Sequence, residues 1–311
     1  MYMQLKEHTL IQSPLNYTGG KFRLLPQILP FFPENIDAFV DLFCGGCNVG
    51  INVPAKKHIY NDSTESLIKL YSLMQNMNTD DFINMLDEII DEYQLSDVSK
   101  NGYEYYGCQS SDGLSSYNRD KYIKLRDSLN DNKTYDDIYY LKLYVLIIYA
   151  FNNQIRFNRD GNFNLPPGKR DFNVKMRNKL RQFMDTLHTQ EASFTCKNFE
   201  DVSFDCLTER DFVYADPPYL ITCASYNEQG GWTEMEERHL LDVLDNLDMH
   251  GVRFALSNVL ETKGKTNYLL KEWIDDRPNY IMHDLNYTYS NANYQRRKID
   301  GNTREILITN Y

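Results

Sequence analysis

The chain has 311 residues, 42% apolar and 25% charged, enough for one large or two medium domains at roughly 100–200 residues each. That excludes collagen, a disulfide mini-protein and wholesale disorder, and 24 Tyr and 16 Phe supply cores and stacking surfaces that disordered chains lack. The net charge of −11 argues against a protein that is basic all over.

The N-terminal residues lack the basic end and apolar centre of a signal peptide. The first strand signal is the apolar run 38–43, ending in Cys44-Gly45-Gly46-Cys47, a strand entering a tight turn. Residues 48–53 are expected to open a helix. Residues 58–62 form a short strand ending in Asp62, after which Ser63 can N-cap a helix to about residue 77.

From about 72 to 172 the character changes to Asn, Asp, Tyr and Ser, with helical patterns at 80–93, 119–129 and 138–151. The longest apolar stretch, 139–151, is too short to cross a membrane and carries Lys142; a span needs about 20 apolar residues. A Gly- and Pro-punctuated loop, 152–171, follows. Residues 152–181 hold eight cations against two acids, Asp160 and Asp171, which reads as a solvated face or as a stripe sensed by a polyanion.

Strand–helix alternation then returns: a helix at 174–187, strands at 193–197 and 212–215, and a helix from Thr233 with Glu236 as its capping-box partner, running to about 249. A strand at 253–258, a helix at 266–273 and a strand at 305–309 close the series. Such alternation argues for an open α/β sheet wound on both faces. Cys44, Cys47, Cys108, Cys196, Cys206 and Cys223 are scattered, as reduced thiols are, so the cytoplasm is the expected compartment.

In such sheets ligands sit at the carboxyl ends of strands, and two ends here carry chemistry. At Asp41-Leu42-Phe43-Cys44-Gly45-Gly46 small residues let a cofactor approach the backbone, and Asp62 is spaced to accept from ribose hydroxyls; a simple turn gives the same glycines. Cys44 and Cys47 also read as a redox or zinc pair, but no further zinc ligands follow at short spacing. At Tyr214-Ala215-Asp216-Pro217-Pro218-Tyr219 the prolines force a rigid turn. That turn fixes an acceptor carboxylate beside a carbonyl and an aromatic face, a fit for an amino group on a planar ring.

With these two sites in this order, the sequence resembles the Dam-like (alpha-group) DNA adenine-N6 methyltransferases over most of its length. Pro14-Leu15-Asn16-Tyr17-Thr18-Gly19-Gly20-Lys21 looks like the family's N-terminal motif, in which Tyr17 and Lys21 help enclose S-adenosylmethionine. Phe43-Cys44-Gly45-Gly46-Cys47 resembles the loop at the methionine end, with Cys47 where a second glycine is usual; Asp41 and Asp62 match the cofactor-binding acids. Asp216-Pro217-Pro218-Tyr219 is similar to the catalytic tetrapeptide, Asp216 also bordering the cofactor.

The resemblance implies a Rossmann-like doubly wound sheet of the S-adenosylmethionine-dependent methyltransferase type, formed by 1–72 plus 172–311. An inserted, mostly helical target-recognition domain would occupy 73–171. The DNA-reading residues it implies are Phe151 as a wedge beside the target adenine, Arg156 at a guanine edge and Pro166 against a thymine methyl, with Asn152, Gln154, Asn158, Lys169 and Arg170 around them. Phosphate contact is the other reading of Arg156 and Arg170. The substrate is then a flipped adenine in a short duplex motif, with GATC favoured despite Gln154 and Asn16 departing from relatives that read it. No metal is expected; a restriction endonuclease is a conceivable functional partner, and a monomer or weak dimer the expected state. An amino-methyltransferase of RNA or protein is the nearest alternative. A dehydrogenase would leave 216–219 unexplained, and a non-catalytic DNA-binding protein would need neither Gly45 nor Asp216. Residues 287–291 with Arg296-Arg297-Lys298 read as a second DNA-contacting loop or a surface hairpin.

Overall fold

The structure, a computed structural model, describes residues 9–109, 111, 113–222, 231–286 and 303–311. Cys223, 287–291 and 296–298, singled out above, lie outside the described residues. The chain divides into two compact units, and no helix among the described residues is long and apolar enough to cross a membrane.

One unit comprises Lys21–Cys44, Val53–Thr64 and Glu191–Tyr311 and holds the whole sheet. Its strands are β1 (Ile36–Asp41), β2 (Ala55–Asn61), β3 (Glu191–Thr195), β4 (Phe212–Ala215), β5 (Arg253–Thr262), β6 (Lys265–Thr266), β7 (Ile281–Leu285) and β8 (Arg304–Thr309). They lie in the order β3-β2-β1-β4-β5-β8-β7, with β6 on β5. Pairing is parallel from β3 to β5 and antiparallel where β8 lies between β5 and β7. The mixed α/β, mostly parallel sheet expected from the sequence is therefore present. β4 is buried along its full length, as parallel strands covered on both faces are.

Behind the sheet, α8 (Glu234–Met249) and α9 (Tyr268–Asp275) bury Leu240, Leu244, Leu270 and Trp273 with Val213, Phe254 and Ile306. The capping box of α8 is formed, with Thr233 and Glu236 each accepting from the other's backbone N–H, an arrangement in which the cap contributes about 1 kcal/mol. α9 starts two residues later than expected because Asn267 caps it. The strand expected at 193–197 sits two residues earlier, in register with β2. β7 was not anticipated: it is an exposed edge strand carrying His283 and Asp284, without the apolar run that marks buried strands.

The second unit comprises the described part of Met1–Gly20, Gly45–Asn52 and Glu65–Gln190. Its main helices are α2 (Glu65–Asn76), α3 (Thr79–Glu92), α5 (Ser115–Asp131), α6 (Asp137–Tyr149) and α7 (Val174–Leu187), with the single turn α4 (Val98–Asn101). α6 is apolar all round and touches α2, α3 and α5; the apolar stretch that is too short for a membrane is thus a central core helix. Asn78, Asp97, Asp136 and Asn173 cap α3, α4, α6 and α7 through side-chain oxygens. The helix expected at 48–53 is only one 3-10 turn, Gly50–Asn52, since Pro54 disfavours helical backbone in the residue before it.

Candidate active site

In the sheet unit, the register sets Asp41 opposite Tyr60 of β2 and Tyr214 of β4, so Asp41, Asp62 and Asp216 lie at one edge, the carboxyl ends of three neighbouring parallel strands. Strand order reverses there, with β1 between β2 and β4, the place where open α/β sheets leave a crevice. Asn61 holds the strand ends together, donating to the carbonyls of Leu42 and Lys197, while its own carbonyl accepts from the Cys44 N–H at 2.8 Å. Asp41 and Asp62 are buried, and Asp62 Oδ1 accepts from the Thr64 N–H at 2.8 Å.

Asp216 stands one residue beyond β4. Lys21 Nζ lies 2.8 Å from its Oδ1, with the lysine side chain only 4% exposed. The Tyr219 hydroxyl donates to the same oxygen at 2.9 Å, and Lys21 sits over the Tyr219 ring, 4.9 Å from its centroid. Burial pushes the Asp216 carboxyl above the usual range; the charge and hydrogen bond of Lys21 and the Tyr219 hydroxyl pull against it, and Glu305 adds to the rise. A carboxylate so shielded from water stays ionised only with such compensation, and Lys21 supplies a cation 2.8 Å away.

Two acids of this unit escaped the sequence reading. Glu305, buried on β8, accepts from the Tyr219 hydroxyl at 3.2 Å and lies 3.6 Å from Lys21 Nζ; the available signal was an acid at the head of an apolar run. Glu237 on α8 is fully buried and accepts from Trp232 Nε1, Asn258 and Asn267. It fixes the Trp232 indole, whose ring packs 5.7 Å from Phe43 and 5.4 Å from Phe199. Phe43, the candidate cofactor contact, is thereby held in an aromatic triad.

In the helical unit the glycine loop packs on Tyr17. A Cβ on Gly45, whose φ is +44°, would come within 3.0 Å of the Tyr17 ring, and one on Gly46 within 3.0 Å of Tyr17 Cβ. A side chain at either position would need Tyr17 to give by a few tenths of an ångström. Cys47 also has positive φ, 53°, so at the place where a glycine is usual the chain keeps the glycine conformation with a side chain attached. The Tyr71 hydroxyl of α2 donates to the Gly45 carbonyl at 3.0 Å. The same unit contains the candidate DNA-reading loop. Bridges Ala150–Pro167 and Phe157–Phe163 make it a hairpin, Asn130 of α5 clamps both backbone groups of Phe163, and Gly168 lies so close to the Ala150 carbonyl that a Cβ would meet it at 2.3 Å.

Phe151 is 52% exposed; Asn152, Arg156, Pro166, Lys169 and Arg170 are exposed, and Gln154 and Asn158 half-buried. Asn164 accepts from the Arg156 guanidinium through Oδ1 and its carbonyl, and Asn16 donates to the Asn152 carbonyl at 2.7 Å. Among the described residues no group of three or more His, Cys, Asp or Glu is placed to hold a metal ion.

The sequence model of a family described as D12 class N6 adenine-specific DNA methyltransferase matches residues 17–291. Modification methylase StsI of Streptococcus sanguinis is 42% identical over 307 residues, 97% of this chain and 43% of the relative. Type II methyltransferase M.FokI of Planomicrobium okeanokoites is 40% identical over 312 residues, 98% of this chain and 44% of the relative. DNA adenine methylase of Escherichia coli (strain K12) is 24% identical over 292 residues, 92% of each chain. The chain thus spans about two fifths of the length of the first two.

Proposed function

The chain belongs to the D12 class of N6 adenine-specific DNA methyltransferases, and we propose that it transfers the methyl group of S-adenosylmethionine to N6 of an adenine turned out of a short duplex motif. The observation that carries this reading is the Asp216-Pro217-Pro218-Tyr219 turn, with an ionisable carboxylate, a backbone carbonyl and an aromatic face at a strand end.

The residues fit the cofactor. Carboxylates at adjacent strand ends suit its hydroxyls and positive charge. Tyr17, Lys21, Asp41, Phe43, Gly45, Asp62 and Asp216 would hold it. When bound, it supplies a methyl group activated by an adjoining sulfonium.

A paired adenine cannot present N6, so extrusion at a cost of a few kcal/mol comes first. In this reading Phe151 fills the gap and Tyr219 stacks on the extruded ring. The N6 lone pair is delocalised into that ring. Hydrogen bonds from its two N–H groups to the Asp216 carboxylate and the Pro217 carbonyl localise it and offset the positive charge that develops. The proton lost from N6 after transfer has Asp216 as its nearest base. Binding that holds acceptor and donor in line contributes up to about 7–11 kcal/mol in favourable cases.

Residues 73–171 act in this reading as the target-recognition domain. Arg156 reads a guanine edge, Pro166 meets a thymine methyl, and Asn152, Gln154, Asn158, Lys169 and Arg170 set register on bases and phosphates. GATC is the proposed motif, a monomer or weak dimer the proposed state, a reducing cytoplasm the compartment and a restriction endonuclease the functional counterpart. The test is methyl transfer to unmethylated plasmid DNA with base-resolution mapping of N6-methyladenine, alongside Asp216→Ala. Modification confined to one motif, lost in Asp216→Ala with cofactor binding retained, is expected. An unmodified plasmid with methylated RNA or protein would overturn the reading.

A further inference from the structure

Glu305 is 1% exposed, on a strand flanked by β5 and β7. Its carboxylate does not pair with Arg304, its neighbour in sequence, whose guanidinium is taken by Asp284 of β7. Instead Glu305 Oε1 and Asp216 Oδ1 share the same two donors. Lys21 Nζ stands 2.8 Å from Asp216 and 3.6 Å from Glu305, and the Tyr219 hydroxyl 2.9 and 3.2 Å from them.

A phenol has one hydrogen to donate, so Tyr219 satisfies one carboxylate at a time and has the other within reach. We propose that Glu305 is a positioning residue for methyl transfer, the acceptor that takes over the Tyr219 hydroxyl when Asp216 Oδ1 turns to the amino group of the target base. This rests on the function proposed above.

Such an exchange returns acceptor capacity to Oδ1, the oxygen that both donors occupy. Asp216 Oδ1 already receives Lys21 and Tyr219, and a carboxylate oxygen engaged by two donors is a weak acceptor for a third. Releasing the hydroxyl restores that capacity, and Glu305 gives the released hydroxyl an acceptor in its half-buried surroundings, where an unmade hydrogen bond is costly. The two acceptor distances differ so little that the exchange needs a rotation about the C–O bond and no backbone movement. Glu305 also keeps a second negative charge near the developing cation. Among the described residues the charged and titratable groups facing it include Lys21, Asp216, Tyr219 and, from β4, Tyr214, whose phenol it helps to hold neutral. A Glu305 that merely balanced the charge of Lys21 would act independently of the Tyr219 hydroxyl.

The two roles separate in single-turnover methylation of duplex DNA by wild type, Glu305→Gln, Glu305→Asp, Tyr219→Phe and the Tyr219→Phe pairings with each. Withdrawal of the acceptor by one methylene in Glu305→Asp is expected to slow transfer roughly 10–100-fold, a misplacement effect, with cofactor and DNA affinities changed less than about twofold. In the Tyr219→Phe background the same substitution should cost less than about threefold, because no hydroxyl remains to be accepted. Glu305→Gln, which keeps an oxygen but loses the charge, should move the acid limb of the pH–rate profile to lower pH, and Glu305→Asp should leave that limb in place. A Glu305→Asp rate equal to wild type, or an equal loss with and without the Tyr219 hydroxyl, would overturn the proposal. A wild-type protein that methylates no adenine would instead overturn the function on which it rests.

Discussion

Lys21, buried, and Asp216, half-buried, form an ion pair at 2.8 Å that joins the 3-10 turn Lys21–Arg23 ahead of β1 to the loop after β4. Because Glu305 lies 3.6 Å from the same ammonium, one cation serves two carboxylates, and both the proton affinity of Asp216 and the stability of the sheet edge depend on it.

Replacement of Lys21 by Met withdraws that cation. Removing one partner of a fully buried pair costs about 3–5 kcal/mol; with Asp216 only half-buried, a loss of about 2–3 kcal/mol is expected in urea unfolding of Lys21→Met at pH 7.5. The penalty should shrink towards pH 5, where Asp216, already pushed upward by burial, protonates more readily without its cation. A loss under about 1 kcal/mol at both pH values would contradict the role given to Lys21.

At Cys47 the usual ranking of small residues should invert. Ala ordinarily exceeds Gly in stability by roughly 0.5–1 kcal/mol, but φ is 53° here, a conformation costing about 1–2 kcal/mol to a residue with a Cβ. Cys47→Gly is expected to be more stable than Cys47→Ala by about 1 kcal/mol, measured by chemical denaturation. Cys47→Val should be the least stable of the three, since β-branched residues tolerate positive φ worst.

Asp171 supplies a pH-dependent term in stability. It is fully buried; desolvation, with the Asp97 charge adding and the Val98 N–H and Arg177 opposing, raises its carboxyl to about 6. Its folded value lies above the unfolded one, so the folded state holds a proton that the unfolded state has released. The resulting stability is present below about pH 4 and is lost as pH rises through about 6, on the order of 2–3 kcal/mol. Asp171→Asn keeps an acceptor for the Val98 N–H and removes the titration. Relative to wild type it should therefore gain stability between pH 4 and 7, with unfolding free energies across that range as the check.

On the hairpin proposed to read DNA, Arg156→Ala should relax discrimination at one base pair by about 1–3 kcal/mol. Lys169→Ala and Arg170→Ala should instead weaken all duplexes alike, each lowering the salt slope by about one. Binding isotherms on single-substituted duplexes at several salt concentrations separate these outcomes; uniform weakening by Arg156→Ala would assign it to a phosphate.

The parts of this protein legible in sequence are those that local chemistry dictates. The apolar runs of β1 and β4, the Thr233–Glu236 box and the helix at Val174–Leu187 need only neighbours within a few residues, and the Asp216–Tyr219 turn announces itself through its prolines. What escaped depends on distant segments. Glu305 acquires meaning from Lys21 and Tyr219, and Glu237 from Trp232, Asn258 and Asn267. Arg177 reads as one more cation of a basic stretch, yet it is committed to Asp87 and Asp97; it steadies the helical unit and is less available to a polyanion than the count of cations implied.

The antiparallel entry of β8 between β5 and β7 also orders events during biosynthesis. Lys21, Asp41 and Asp62 leave the ribosome before Asp216, and the strand carrying Glu305 follows all of them. A nascent chain can lay down the parallel strands from β3 to β5 while the network around Lys21 still lacks its second carboxylate and β5 is missing its antiparallel neighbour. Translation that stalls before residue 304 would therefore leave the parallel strands formed but Lys21 and Asp216 without the Glu305 carboxylate beside them.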